Sequence, residues 1–148
     1  MIRSVYSVTI YVHNQNEAIR FYREMFGFEV RRYEPLGPAG SWVEMAPPGR
    51  ETVLVLYPQA MQTDWKMRRG FILLACDDVA ATHEAMVAKG VNFTQEPSSL
   101  GWGIMALFTD PSGNEIGLLQ VTRAAGAVPG ARPAQGSIPP PPPPGRKK

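Results

Sequence analysis

A chain of 148 residues at 44% hydrophobic content has room for one domain with a sizeable core and too little for two. No apolar run approaches the roughly 20 residues of a membrane-spanning helix. Residues 1–121 hold 10 Lys/Arg against 13 Asp/Glu, while residues 122–148 add five cations and no acid, so the folded part is mildly acidic and argues against nucleic acid as a partner.

The N-terminal stretch MIRSVYSVTIYVHNQ alternates like a strand and lacks the charged, apolar, small-residue order of a signal peptide. Val8, Ile10 and Val12 share one face and Ser7, Thr9 and Tyr11 the other. A helix follows, capped by Asn14 or Asn16, with Ala18, Phe21, Tyr22, Met25 and Phe26 as its apolar stripe and Gly27 as its stop. FEVRRYEP, GSWVEMAPP and ETVLVLYP then read as three strands separated by Gly and Pro.

The same order returns from Gly70. FILLAC reads as a buried strand, and Asp77 or Asp78 caps a helix over VAATHEAMVAKG whose buried side is Val79, Ala85 and Met86. VNFTQEP, WGIMALFT and NEIGLLQV are the next three strands, the last two joined by the turn Asp110-Pro-Ser-Gly-Asn114. Cys76, the single cysteine, is expected to be an inert core thiol and fits a reducing cytoplasm. The fold class is therefore α+β, two βαβββ modules spanning about 1–60 and 68–121. Each module leaves one sheet face without a helix, and two such faces must cover each other or curve around a ligand. Residues 122–148, with eight of the 15 prolines, form a basic Pro-rich tail expected to be disordered.

AIRFYREMFGFEV in the first half and GWGIMALFTDPSGNEIGLLQ in the second resemble the vicinal oxygen chelate superfamily, which includes glyoxalase I, extradiol dioxygenases and the bleomycin and fosfomycin resistance proteins. The likeness covers residues 1 to about 121. It implies a curved mixed sheet around a cleft, in which four ligands, two from each module, set a divalent metal. Carried over one by one, these positions fall on Ser7 and Phe71, where the metal enzymes typically have His, and on Val55 and Gly117, where they have Glu. The chain has only two histidines, His13 at the end of the first strand and His83 in the second helix, the latter expected to be solvated. Several His or carboxylate groups must converge to hold such an ion, so no metal ligands and no cofactor are assigned.

The faces carrying those positions would line the cleft with Ser7, Thr9, Tyr11, Trp42, Val55, Tyr57, Phe71, Trp102 and Gly117. This is an apolar, aromatic lining with a few polar groups, and Gly117 would leave open space. Glu44 and Glu115 are the two carboxylates that could act there as general bases. The favoured reading is a metal-free protein that binds a small hydrophobic or aromatic molecule. The alternative is an enzyme using Glu44, Glu115 or unrecognised metal ligands. An interaction module acting through the proline tail is the third reading, and a homodimer is implied by the family's habit of pairing modules.

Overall fold

The computed structural model describes Met1 and residues 4–124. The expected disorder of the tail concerns residues that, from 125 on, lie outside that range. The first module contains β1 (Ser7–Val12), α1 (Gln15–Phe26), β2 (Glu29–Pro35), β3 (Ser41–Ala46) and β4 (Val53–Pro58). The second contains β5 (Ile72–Ala75), α2 (Val79–Ala88), β6 (Phe93–Ser99), β7 (Gly103–Thr109) and β8 (Glu115–Val121). Two 3-10 turns, Gln59–Met61 and Trp65–Arg68, occupy the linker. The fold is α+β, with two separate four-stranded mixed sheets ordered β1-β4-β3-β2 and β5-β8-β7-β6. β1 pairs parallel with β4, and β5 pairs parallel with β8; the remaining pairs are antiparallel.

The local signals settle in specific ways. Asn14 caps α1 by accepting from the Glu17 amide, and Gly27 ends it in the left-handed region at φ 67°. Gln15 ties α1 to the sheet, donating from Nε2 to the Ser41 and Leu56 carbonyls and accepting from the Ser41 amide. Asp78 rather than Asp77 caps α2. Val79 and Met86 are buried on that helix, but Ala85 is exposed. The half-buried positions between them are Thr82 and His83, which complete the 3–4 spacing that Ala85 breaks. His83 is not solvated as expected: its ring packs edge-on against Phe93 at 4.4 Å. β5 also departs from expectation. It is a sheet edge with Ile72 and Leu74 facing inward and Leu73 and Ala75 exposed, because only one of its faces has a helix to cover it. Cys76 is half-buried, its Sγ 3.1 Å from the Thr82 hydroxyl.

One hydrophobic core joins the modules. It takes Ile10, Val12, Tyr22 and Leu56 from the first and Val79, Phe108, Ile116 and Leu118 from the second. Phe108 is the aromatic hinge of this core, 6.3 Å from Phe21, 5.7 Å from Phe26 and 5.5 Å from Phe93 between ring centroids. A polar latch lies beside it. The Tyr22 hydroxyl donates to Asp110 Oδ2 at 3.1 Å, and buried Asp110 also accepts from the amides of Ser112 and Asn114 and from Asn114 Nδ2. Asn114 Nδ2 reaches on to the Tyr11 carbonyl, and the His13 amide donates to Ser112 Oγ. The Phe-Tyr pair of α1 and the Asp-Pro-Ser-Gly-Asn turn therefore touch each other. These two scaffold words are the two halves of the junction between modules.

Candidate functional site

The core uses the helix-bearing face of each sheet, which leaves the opposite faces to form a site. On the first module that face carries a second, small apolar cluster of Ala46, Val53 and Val55, with Trp42 and Tyr57 packed against it. Strand alternation puts Ser7, Thr9 and Tyr11 on this face, since Ile10 and Val12 are spent in the core, and all three are half-buried. Trp42, Tyr57 and Tyr11 form an aromatic row: Trp42 meets Tyr57 edge-on at 6.2 Å, and Tyr57 meets Tyr11 edge-on at 6.0 Å. Such edge-to-face contacts fix ring planes and add to the gain from burial.

Glu44 lies at one end of this row and is only 4% exposed. Its carboxylate accepts from the Tyr6 hydroxyl at 3.0 Å and from Trp42 Nε1 at 2.9 Å, and Arg32 Nε is 3.7 Å away. The Tyr6 contact first, then the Glu44 charge, push the Arg32 guanidinium above its ordinary pKa. A buried carboxylate is tolerated only when paired and hydrogen-bonded in this way. Sequence reasoning placed Glu44 on this face but missed Tyr6 and Arg32. Arg32 stands directly across from Glu44 in the β2–β3 ladder, behind a register shift between Val30 and Arg32 that breaks the simple alternation. Tyr6 precedes β1, where strand parity gives no guide.

The corresponding face of the second module is open. Phe71 is 53% exposed, Leu73 43% and Trp102 43%. Gly117 lies opposite Leu73 in the β5–β8 ladder and is buried. The expected open space at Gly117 is absent: a Cβ built there would run into Leu73 Cδ2 and come within 3.2 Å of Leu107 Cδ2 and 3.3 Å of the Phe71 ring. Three apolar side chains have leaned into the room that a missing side chain leaves, because an unfilled apolar void forfeits dispersion contacts. Glu115 begins β8 exposed to solvent, with the Thr94 hydroxyl as its partner.

The structure thus gathers Ser7, Thr9, Tyr11, Trp42, Val55, Tyr57 and Glu44 on one face and Phe71, Gly117 and Glu115 on another. Trp102 lies between β6 and β7, 43% exposed, its carbonyl accepting from the Thr122 and Arg123 amides just past β8. Among the described residues, grooves lie where the modules meet. One, of about 870 Å³, is lined by Phe28, Arg50, Leu74, Cys76 and Gln120 among others; one of about 300 Å³ lies between Phe21, Met25 and Asn92; one of about 220 Å³ runs between Val8, Met45 and Ile72. None of these includes Trp42, Tyr57 or Gly117. Among the described residues, no three His, Cys, Asp or Glu side chains stand close enough to hold a metal ion, and no helix is long and apolar enough to cross a membrane. At the four positions where the resemblance implies metal ligands, Ser7, Val55, Phe71 and Gly117 supply one hydroxyl and no imidazole or carboxylate. That donor set does not fit a divalent ion.

YetH, an uncharacterized protein of Bacillus subtilis (strain 168), is 40% identical over 114 residues, covering 77% of this chain and 95% of its own. A crystal structure of a superfamily member from Sphaerobacter thermophilus DSM 20745 superposes with a TM-score of 0.72 at 31% identity, over 80% of this chain and 98% of that one. TnmS3, an antibiotic binding protein from Streptomyces sp. CB03234, superposes with a TM-score of 0.66 at 35% identity, over 82% and 98% of the two chains. The family model for the Glyoxalase/Bleomycin resistance protein/Dioxygenase superfamily matches residues 5–118. With that match spanning both modules and the latch that joins them, the chain belongs to the glyoxalase/bleomycin resistance/dioxygenase superfamily.

Proposed function

We propose that this protein binds a small hydrophobic or aromatic molecule in a metal-free cleft and acts by holding the ligand. The observation that carries the reading is the lining at the four ligand positions: Ser7, fully buried Val55, exposed Phe71, and Gly117 beneath Leu73, Leu107 and Phe71. An apolar wall with an aromatic row suits a flat apolar ligand. The antibiotic-binding description of TnmS3, a relative at 35% identity, supports the same class. Catalysis through Glu44 has less support, because Tyr6, Trp42 and Arg32 already take up its carboxylate. Glu115 is exposed at the start of β8, away from the aromatic row, with the Thr94 hydroxyl as its partner.

The proposal includes a homodimer. The helix-bearing faces share one core within the chain, so Phe71, Leu73, Trp102 and Val121 remain exposed on the second module. A second copy that laid this face over the Trp42–Tyr57–Tyr11 row would close two equivalent clefts and bury the exposed apolar side chains.

A panel of planar aromatic compounds, screened by thermal shift with and without EDTA, tests the reading. Binding should raise the melting temperature equally in both conditions. Stabilisation that vanishes with EDTA, or that Zn²⁺, Ni²⁺, Fe²⁺ or Mn²⁺ alone produces, overturns it.

A further inference from the structure

Glu44 is buried beside the aromatic row, and the contacts that make its burial tolerable also reach one ring of that row. Its partners come from three places: Tyr6 from the segment before β1, Arg32 from β2 and Trp42 from its own strand. Trp42 is the one that belongs to the aromatic row. That indole meets Tyr57 in a T-shaped contact, and its Nε1 donates to Glu44 Oε2 at 2.9 Å. The other carboxylate contacts hold Glu44 itself. The Tyr6 hydroxyl lies 3.0 Å from both oxygens, and Arg32 closes the rim, 53% exposed and also 3.4 Å from Glu34. Arg32 compensates the anion from the rim, and the oxygen it approaches, Oε2, is the one that accepts from the indole.

We propose that Glu44 is a positioning residue, a carboxylate clamp that fixes the Trp42 indole as a rigid wall of the ligand cleft. It favours neutral planar aromatic ligands over charged ones, because the charge of Glu44 is already matched by Arg32. This assignment deepens the binding function proposed above and rests on it for the ligand, but the clamp itself exists without one. A free indole at a half-buried position samples several orientations and loses that freedom on binding. A clamped indole has lost it beforehand, and the ligand then binds without that cost. A hydrogen bond to an ionised acceptor is the stronger kind and suits this task.

The clamp is read first without ligand, from the indole Nε1–H of Trp42 by NMR, with Trp42→Phe identifying the resonance. In the wild-type protein this proton should exchange slowly with solvent. Glu44→Gln, which keeps shape but loses the anionic acceptor, should speed exchange by about tenfold or more, while Tyr6→Phe, which removes one contact on Glu44 but keeps the acceptor and Arg32, should change it by less than about threefold. Unchanged exchange in Glu44→Gln overturns the clamp, as does an indole already freely exchanging in the wild type. If Glu44→Gln fails to fold, Glu44→Asp, which keeps the charge but withdraws it from Nε1 by one methylene, takes its place with the same expected rise and the same overturning result. The second reading uses Nile red, a neutral planar dye. Glu44→Gln should weaken its binding about tenfold in the wild-type background and less than about twofold in the Trp42→Phe background, since the effect runs through the indole. Equal losses in both backgrounds overturn the positioning role. Slow Trp42 exchange in a wild type that binds no dye overturns the ligand reading and leaves the clamp standing.

Discussion

Tyr22 carries two tasks in one side chain, its ring in the aromatic core and its hydroxyl on Asp110. Burial first, then the Asp110 charge and the hydrogen bond to it, hold the phenol well above its ordinary pKa of 10.0. The folded-state value exceeds the unfolded one, so the stability this group contributes is complete below about pH 10 and is lost as pH rises through the raised value. Tyr22→Phe should cost about 1.5–3 kcal/mol at neutral pH, the range for a hydrogen bond to a charged group, and should flatten the alkaline fall in stability. Urea unfolding at pH 7 and at pH 10.5 and above measures both. An identical alkaline slope in the variant refutes the assignment. Gly117 gives a second residue-scale expectation. Leu73, the first obstacle to a side chain there, is 43% exposed and can swing outward. Gly117→Leu should therefore cost about 1 kcal/mol, the low end for overpacking, and weaken binding of the proposed aromatic ligand. A cost above about 3 kcal/mol would place Gly117 in a closed core.

Among the elements, α1 is the best specified. Its cap, its stripe and its Gly27 stop all stand in the sequence, and Asn14→Ala should cost about 1 kcal/mol in thermal or chemical unfolding. What the sequence could not reveal is that Gln15, on the first turn, satisfies three backbone groups of β3 and β4. Gln15→Ala strands those groups half-buried and should cost about 1–3 kcal/mol, more than loss of the cap. The strands divide the same way. Alternation in β1 and β8 assigned their faces from residue types alone, because each has one face in the core. Register was not legible: the shift at Val30/Arg32 hides the Arg32–Glu44 pair, and that pair makes the buried carboxylate tolerable. Gly117 shows the other limit. Its small size was visible, but the inward lean of Leu73, Leu107 and Phe71 depends on packing across three strands.

At the scale of the whole molecule, the twofold βαβββ grammar was readable because each module repeats the same punctuation. The way the modules meet was not, since it depends on contacts such as Tyr22–Asp110 between residues 88 positions apart. The second module leaves Phe71 and Leu73 exposed in the single chain, and this is the basis for expecting a dimer of twice the 16.3 kDa chain mass by light scattering. A monomer at micromolar concentration would count against it. Removing residues 124–148, which begin beyond the last strand, should leave the melting temperature within about 2 °C. The central claim, a ligand cleft that works without a metal, is tested most directly by native mass spectrometry of the protein purified without chelators. The account predicts an assembly that carries a released organic small molecule, or accepts one stoichiometrically on addition, with no divalent ion bound. One Zn, Ni, Fe or Mn ion per chain, retained through desalting, would contradict it.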